Sequence, residues 1–233
     1  MSCQQVYTVH SEATEDIVQR ISRADWLIPT GLLVLAFIPV AAGMFRLTQL
    51  AGGGPVTPDN ARFFGAPVPV VLHILGATIY TVLGAFQFSS GFRRRYPGWH
   101  RRAGRVLVLA GLTAALSGLW MAQFYAIVPA DHPLEHAFRM LAGSGMALSI
   151  VLGFLAIRRR DVGQHQDWMR RAYALGIGAG TQAVTQLPWM LLIGVPDDLT
   201  RAWLMGAAWG INLAVAEWFI RRRRQRTMTP AMA

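Results

Sequence analysis

Four of the six histidines in this sequence are spaced so that they could act in pairs. His73 and His100 are 27 residues apart, and His136 and His165 are 29 residues apart. At a rise of roughly 1.5 Å per residue, either separation corresponds to about 40 Å of helix, so its two members lie at opposite ends of a helical bundle. The spacing therefore predicts two pairs, His73 with His136 at one end and His100 with His165 at the other.

Paired histidines on different helices are typical axial ligands of a b-type haem, because the iron needs two imidazoles facing each other across a ring-sized gap. Two such haems would carry electrons from one side of a membrane to the other. Arg101 beside His100 and Arg171 after His165 could form ion pairs with haem propionates. In the alternative interpretation, the histidines are polar residues at the membrane surface that hold no cofactor.

A second arrangement of histidines would suit a transition metal. His132, Glu135 and His136 share one face if a helix begins early, and together with His73 they could bind zinc or copper. The spacing is common, and it has a structural explanation as well. Pro133 is favoured at the first position of a helix, and Glu135 would then lie near the positive end of the helix dipole.

A polar stripe marks one later apolar segment. Thr181, Gln182, Thr185 and Gln186 recur at helical spacing, with Arg171 at one end of the segment. These side chains could line a cavity for a small molecule or a quinone. Hydrogen bonding between helices inside a membrane explains the same pattern equally well.

Composition determines which elements must position these residues. Hydrophobic residues make up 53% of the chain and charged residues 15%, and the apolar residues fall in blocks of the length that spans a bilayer as helix. This predicts an all-α integral membrane bundle in contact with lipid. The net charge of +10 does not indicate nucleic-acid binding, because the arginines cluster at the ends of the apolar blocks.

The apolar blocks predict six transmembrane helices, of which spans two to five form a four-helix core. Residues 1–25 would form a cytoplasmic tail, 26–220 the six-span domain with its core at 68–195, and 221–233 a basic cytoplasmic tail. The spans lie at about 26–45, 68–90, 103–128, 138–157, 172–195 and 202–220.

The arginines fix the orientation of these spans. With both termini cytoplasmic, eighteen of the 22 basic residues lie inside, which predicts a multi-pass protein of the bacterial inner membrane. Two inside hairpins, at 93–105 and 158–171, carry eleven of the arginines. Because Trp99 and His100 lie in the first and His165 and Trp168 in the second, we expect these four residues to form one inner-face site.

The two hairpins and the spans beside them resemble a bacterial family of predicted membrane proteins catalogued as a domain of unknown function. The resemblance covers about residues 68–195 and implies a membrane location but no established reaction. The residues that match the family pattern are His73, Gly84, Gln87, Phe88, Arg93, Pro97, His100, Arg101, Gly104, Arg105, His165, Trp168, Met169, Arg171, Tyr173 and Ala174.

More distantly, the arrangement of histidines is similar to that of transmembrane di-haem cytochromes b of the ascorbate-reducible type. The unknown-function family has no histidine at the position of His136, so the resemblance favours the inner pair, His100 and His165, over the outer one. Two classes of function follow as expectations. One is electron transfer with a quinone or another redox partner; the other is a scaffold, sensor or small-solute carrier. The oligomeric state is left open.

Overall fold

The computed structural model describes residues 23–127 and 132–228, and all regular structure within those ranges is helical. This confirms the all-α prediction. The predicted tail up to residue 22 lies outside the described residues. The nine helices of the described ranges are α1 (Arg23–Ala51), α2 (Ala61–Gly65), α3 (Pro67–Phe86), α4 (Ser90–Arg95), α5 (Pro97–Phe124), α6 (Pro133–Arg158), α7 (Val162–Gly176), α8 (Gly178–Leu192) and α9 (Asp198–Met228).

Proline and polar caps determine where these helices begin. Pro67, Pro97 and Pro133 occupy the first turns of α3, α5 and α6, where the missing N–H has no intrahelical partner to lose. The Ser89 hydroxyl accepts a hydrogen bond from the backbone of α4, and the Asp161 carboxylate accepts one from the backbone of α7. Both arginine-rich hairpins are thus built from capped turns.

Five helices in the described part of the chain, α1, α3, α5, α6 and α9, are long and apolar enough to cross a membrane. A multi-pass membrane protein is therefore confirmed. The predicted fifth span is instead made of α7 and α8, two helices of 15 residues each that meet at Ile177. The last helix also extends further than predicted, because α9 continues through the arginine run of the expected tail to Met228.

Side chains of α9 compensate for the break between α7 and α8. The amide of Asn212 donates to the Ala174 carbonyl at 3.0 Å, and the indole of Trp209 donates to the Leu175 carbonyl at 3.2 Å. Backbone groups freed inside a membrane need such partners, because lipid offers none. Gly178 allows this approach, since a Cβ there would lie 2.1 Å from the Trp209 indole nitrogen.

The polar stripe of α8 forms hydrogen bonds with α9. The Thr181 hydroxyl donates to the Asn212 side-chain oxygen at 2.8 Å, and the Thr185 hydroxyl donates to the Leu204 carbonyl at 3.2 Å. Helix-to-helix bonding thus accounts for these two threonines. They join α8 to α9.

The core lies where α3, α5, α6 and α7 meet. Tyr80 and Tyr173 pack with ring centroids 5.8 Å apart, and the Tyr173 hydroxyl donates to the Thr81 carbonyl at 2.7 Å. Gly84 makes room for Tyr173, because a Cβ there would lie 2.5 Å from the tyrosine ring. This packing joins α3 to α7 and places the two arginine-rich hairpins at the same end of the bundle.

Two buried carboxylates tie α9 to the rest of the bundle, one at the end that carries the arginine-rich hairpins, which we term the inner end, and one at the opposite, outer end. At the outer end, Glu135 of α6 accepts from Arg139 at 2.7 Å and from Arg201 of α9 at 2.6 Å. At the inner end, Asp167 of α7 accepts from arginines of α9. Sequence reasoning did not single out either carboxylate as an ion-pair centre.

Candidate inner-face histidine site

Two histidines from separate helices lie together at the inner end of the bundle. His100 is in the first turn of α5 and His165 is in the first turn of α7. Although 65 residues separate them in sequence, they lie within electrostatic range of each other. The pairing of these two residues at one face is what the histidine spacing predicts.

His165 is held in a fixed orientation. Its Nδ1 lies 2.9 Å from the Gly153 carbonyl oxygen of α6. A carbonyl only accepts hydrogen bonds, so Nδ1 carries a proton, and in the neutral ring Nε2 is the nitrogen with the lone pair. A histidine oriented in this way is prepared to act as a ligand through Nε2.

His100 is the less satisfied partner of the pair. Its Nδ1 is buried and has no hydrogen-bond partner in the structure. Buried polar atoms in native proteins are nearly always paired, so an unpaired one needs an explanation. Arg93, His165 and Arg101 all lie within electrostatic range of this ring.

Arg93 of α4 is the cation that approaches the pair from the first hairpin. Its guanidinium donates to the backbone carbonyl of Gln87 at 2.6 Å, and the Gln87 side-chain nitrogen is itself buried without a hydrogen-bond partner. Burial and the neighbouring Arg94 lower the pKa of Arg93. Arg93 also lies within electrostatic range of Arg170 on α7.

The second hairpin adds an ion-pair network around Asp167, which is only 2% exposed. Its two oxygens accept from Arg223 at 2.8 Å and from Arg224 at 3.0 Å, and Arg170 lies 3.4 Å away. Arg223 also donates to the Gly163 carbonyl at 3.1 Å. The arginine run at the end of α9 is therefore docked on α7 beside His165.

The two arginines predicted to serve haem propionates have other surroundings. Arg171 forms a double hydrogen bond with Glu217 of α9, at 2.5 and 3.1 Å, and its guanidinium lies 4.7 Å from the centre of the Trp168 ring. Arg101 is exposed. Arg93 and Arg170 are also partly buried in this region. Residue type alone gave no signal for them, because each hairpin contains five or six arginines.

The two hairpin tryptophans pack against aromatic and arginine side chains of their own hairpins and the adjoining helix. Trp99 packs edge-on against Phe86 and Phe92, with centroid distances of 6.3 and 4.8 Å. Trp168 packs with Arg171.

The outer histidines do not form a matching site. His73 is bonded through Nδ1 to the Ala114 carbonyl of α5 at 2.8 Å, whereas His136 is exposed at the start of α6. His132 accepts a hydrogen bond from the Leu134 N–H through Nδ1 and so caps α6. Within the described ranges, no group of three or more His, Cys, Asp or Glu side chains could hold a metal ion, so His73, His132 and His136 do not form one.

One protein-family model matches the part of the chain that contains this site. The model of a family described as "Predicted membrane protein (DUF2306)" matches residues 70–220, well over half of the chain. The chain belongs to the DUF2306 family. The matched region of this DUF2306 protein contains both arginine-rich hairpins and both inner histidines, and it leaves out α1.

No curated protein and no solved structure matches the chain. The distant resemblance to di-haem cytochromes b is therefore not supported by the comparisons. Membership of DUF2306 shows that the protein is a membrane protein, but it assigns no reaction. The residues of the inner-face site are therefore the basis for a functional proposal.

Proposed function

We propose that the protein crosses the bacterial inner membrane six times and has both termini in the cytoplasm. The fifth crossing is then made by α7 and α8 together. Residues 172–192 would cover about 30 Å as helix, which matches the hydrocarbon thickness of a bilayer. The bonds from Asn212 and Trp209 support this crossing, because they compensate for the break. The inside excess of arginines supports the orientation.

Cysteine labelling tests this crossing. In a Cys3→Ala background, Val195→Cys and Val162→Cys place single thiols at opposite ends of α7–α8, both at exposed positions. We expect a membrane-impermeant maleimide to label Val195→Cys on intact spheroplasts. Val162→Cys should react only after permeabilisation, because its end of the segment faces the cytoplasm. Labelling of both variants from the same side would show that α7–α8 turns back within the membrane.

We also propose that His100 and His165 bind one b-type haem and that the protein transfers electrons. The proximity of these two rings on separate helices supports the proposal. In its neutral form His165 presents a free Nε2, because the Gly153 carbonyl holds its Nδ1. The haem would supply one-electron chemistry. The chain's own groups would orient the two rings.

The visible spectrum of the detergent-purified protein, expressed with haem precursor, tests this second proposal. We expect a red protein whose reduced-minus-oxidised difference is lost in His100→Ala and in His165→Ala. His136→Ala is the matched control, because His136 is exposed and should leave the spectrum unchanged. A colourless protein, or equal losses in all three variants, would rule out haem ligation by this pair.

A second candidate function is a non-enzymatic scaffold, sensor or carrier in which the histidines join helices. Two hydrogen bonds favour it, since His165 binds the Gly153 carbonyl of α6 and His73 binds the Ala114 carbonyl of α5. Under this proposal, His165→Ala lowers the melting temperature of a protein that is colourless before and after the change. The same purified samples therefore discriminate between the two candidates.

A further inference from the structure

Several partly buried arginines lie close to one buried carboxylate at the inner end of the bundle. Arg170, Arg223 and Arg224 share Asp167, and Arg93 lies within electrostatic range of Arg170. Among the described residues, Arg93 forms no ion pair and donates to a neutral backbone carbonyl instead. Half-buried cations at close range repel one another, so the cluster is stabilised by any anion that enters it.

Unpaired polar atoms occur in the same cluster. The Gln87 side-chain nitrogen, His100 Nδ1 and Arg223 Nε are all buried without a hydrogen-bond partner. The first and third of these can only donate hydrogen bonds, and the second donates when it carries the proton. A ligand rich in acceptor oxygens would satisfy them and supply further negative charge.

The position of the cluster indicates where such a ligand comes from. Arg93 lies in α4, between the inner ends of the two membrane-crossing helices α3 and α5, and Arg223 lies near the inner end of α9. The inference rests on the orientation proposed above, in which this is the depth of the phosphates of the cytoplasmic leaflet, and arginines there attract anionic lipids. Arginine also matches phosphate oxygens with its planar fork of donors.

We propose that this cluster is a binding site for the phosphate group of an anionic phospholipid of the cytoplasmic leaflet. Arg93, Arg170 and Arg223 supply the positive charge, and Gln87 and His100 supply further hydrogen-bond donors. The proposal does not rest on the haem proposal, because the clustered arginines and the unpaired donors belong to the chain itself.

Lipid retention in detergent tests the proposal. The delipidated protein is titrated with phosphatidylglycerol or phosphatidylcholine in mixed micelles, or with inorganic phosphate. The readouts are native mass spectrometry and the shift in melting temperature. We expect phosphatidylglycerol to be retained and stabilising, phosphatidylcholine to be much weaker, and inorganic phosphate not to reproduce the shift at millimolar concentration. Arg93→Gln and Arg170→Gln should each lower the apparent affinity for phosphatidylglycerol about fivefold or more, since each removes a charge-assisted hydrogen-bond donor.

Arg102→Gln is the matched control, because Arg102 lies in the same hairpin and is exposed. It should keep the affinity of the unaltered protein. If Arg93→Gln does not fold, Arg93→Lys keeps the charge without the planar fork and should show an intermediate affinity. Equal losses in Arg102→Gln and Arg93→Gln, or equal binding of the two lipids, would overturn the site. Saturation by inorganic phosphate alone would show a free-anion site and overturn the assignment to lipid. The haem spectrum is recorded on the same samples, so failure of either proposal is visible separately.

Discussion

Asp167→Asn is expected to lower the melting temperature of the purified protein more than the removal of any exposed carboxylate. Asp167 is 2% exposed and accepts from Arg223 and Arg224 of α9, with Arg170 of its own helix nearby. Asparagine keeps the shape but removes the charge, which leaves arginines close together without their counter-ion. Removing one partner of a buried ion pair costs about 3–5 kcal/mol. The partly exposed arginines reduce this to about 2 kcal/mol of unfolding free energy.

The control for this change is Asp198→Asn at the other end of the bundle. Asp198 is half-exposed and lies 3.6 Å from Arg201, so its loss should shift the melting temperature little. Differential scanning fluorimetry of the two variants in the same detergent makes the comparison. Equal shifts would mean that the inner network contributes no more than a surface ion pair.

Gly180→Ala is expected to be the most damaging conservative change in the broken segment. A Cβ at position 180 would lie 2.3 Å from the Leu35 carbonyl oxygen and 2.9 Å from its carbon, so α1 and α8 are packed backbone to backbone there. The obstacle is main chain, which cannot move aside as a flexible side chain does. Overpacking of this kind costs about 1–3 kcal/mol, which exceeds the gain of about 1 kcal/mol from replacing glycine in a helix.

Gly31→Ala provides the matched test on α1. No atom lies within 4 Å of a Cβ built at Gly31, so this variant should be as stable as the original protein or slightly more stable. Melting temperatures and the retention time of each variant on size exclusion give the comparison. A Gly180→Ala protein with an unchanged melting temperature would show that α1 does not pack on α8 at this distance.

Several elements of the bundle follow directly from local sequence. Pro67, Pro97 and Pro133 mark the starts of three helices, and the apolar blocks between them are long enough to cross a membrane. The prediction failed at 172–195, where apolar content alone indicated one uninterrupted span. The break at Ile177 depends on partners from α9, and no local pattern in α7 or α8 encodes those partners.

The candidate site also combines features that follow from local sequence with features that depend on how distant helices pack. The spacing of His100 and His165 predicted that they share one face, because helix length converts sequence separation into depth. The pairing of Arg171 with Glu217 was not predicted, since Glu217 is on a helix whose position the sequence does not reveal. Arg93 lies within electrostatic range of His100 on α5 and of Arg170 on α7, and these approaches depend on the packing of α4 against the two longer helices.

By itself, then, the sequence determined a membrane-embedded helical protein with most of its arginines and two of its histidines gathered at one end. The positive-inside bias and helix length are properties of residue type and spacing, so they can be counted along the chain. Only the tertiary structure decided that His136 is exposed, that Asp167 and Glu135 hold α9 in place, and which arginines share Asp167. Those outcomes depend on the rotation and packing of distant helices, which no single segment specifies.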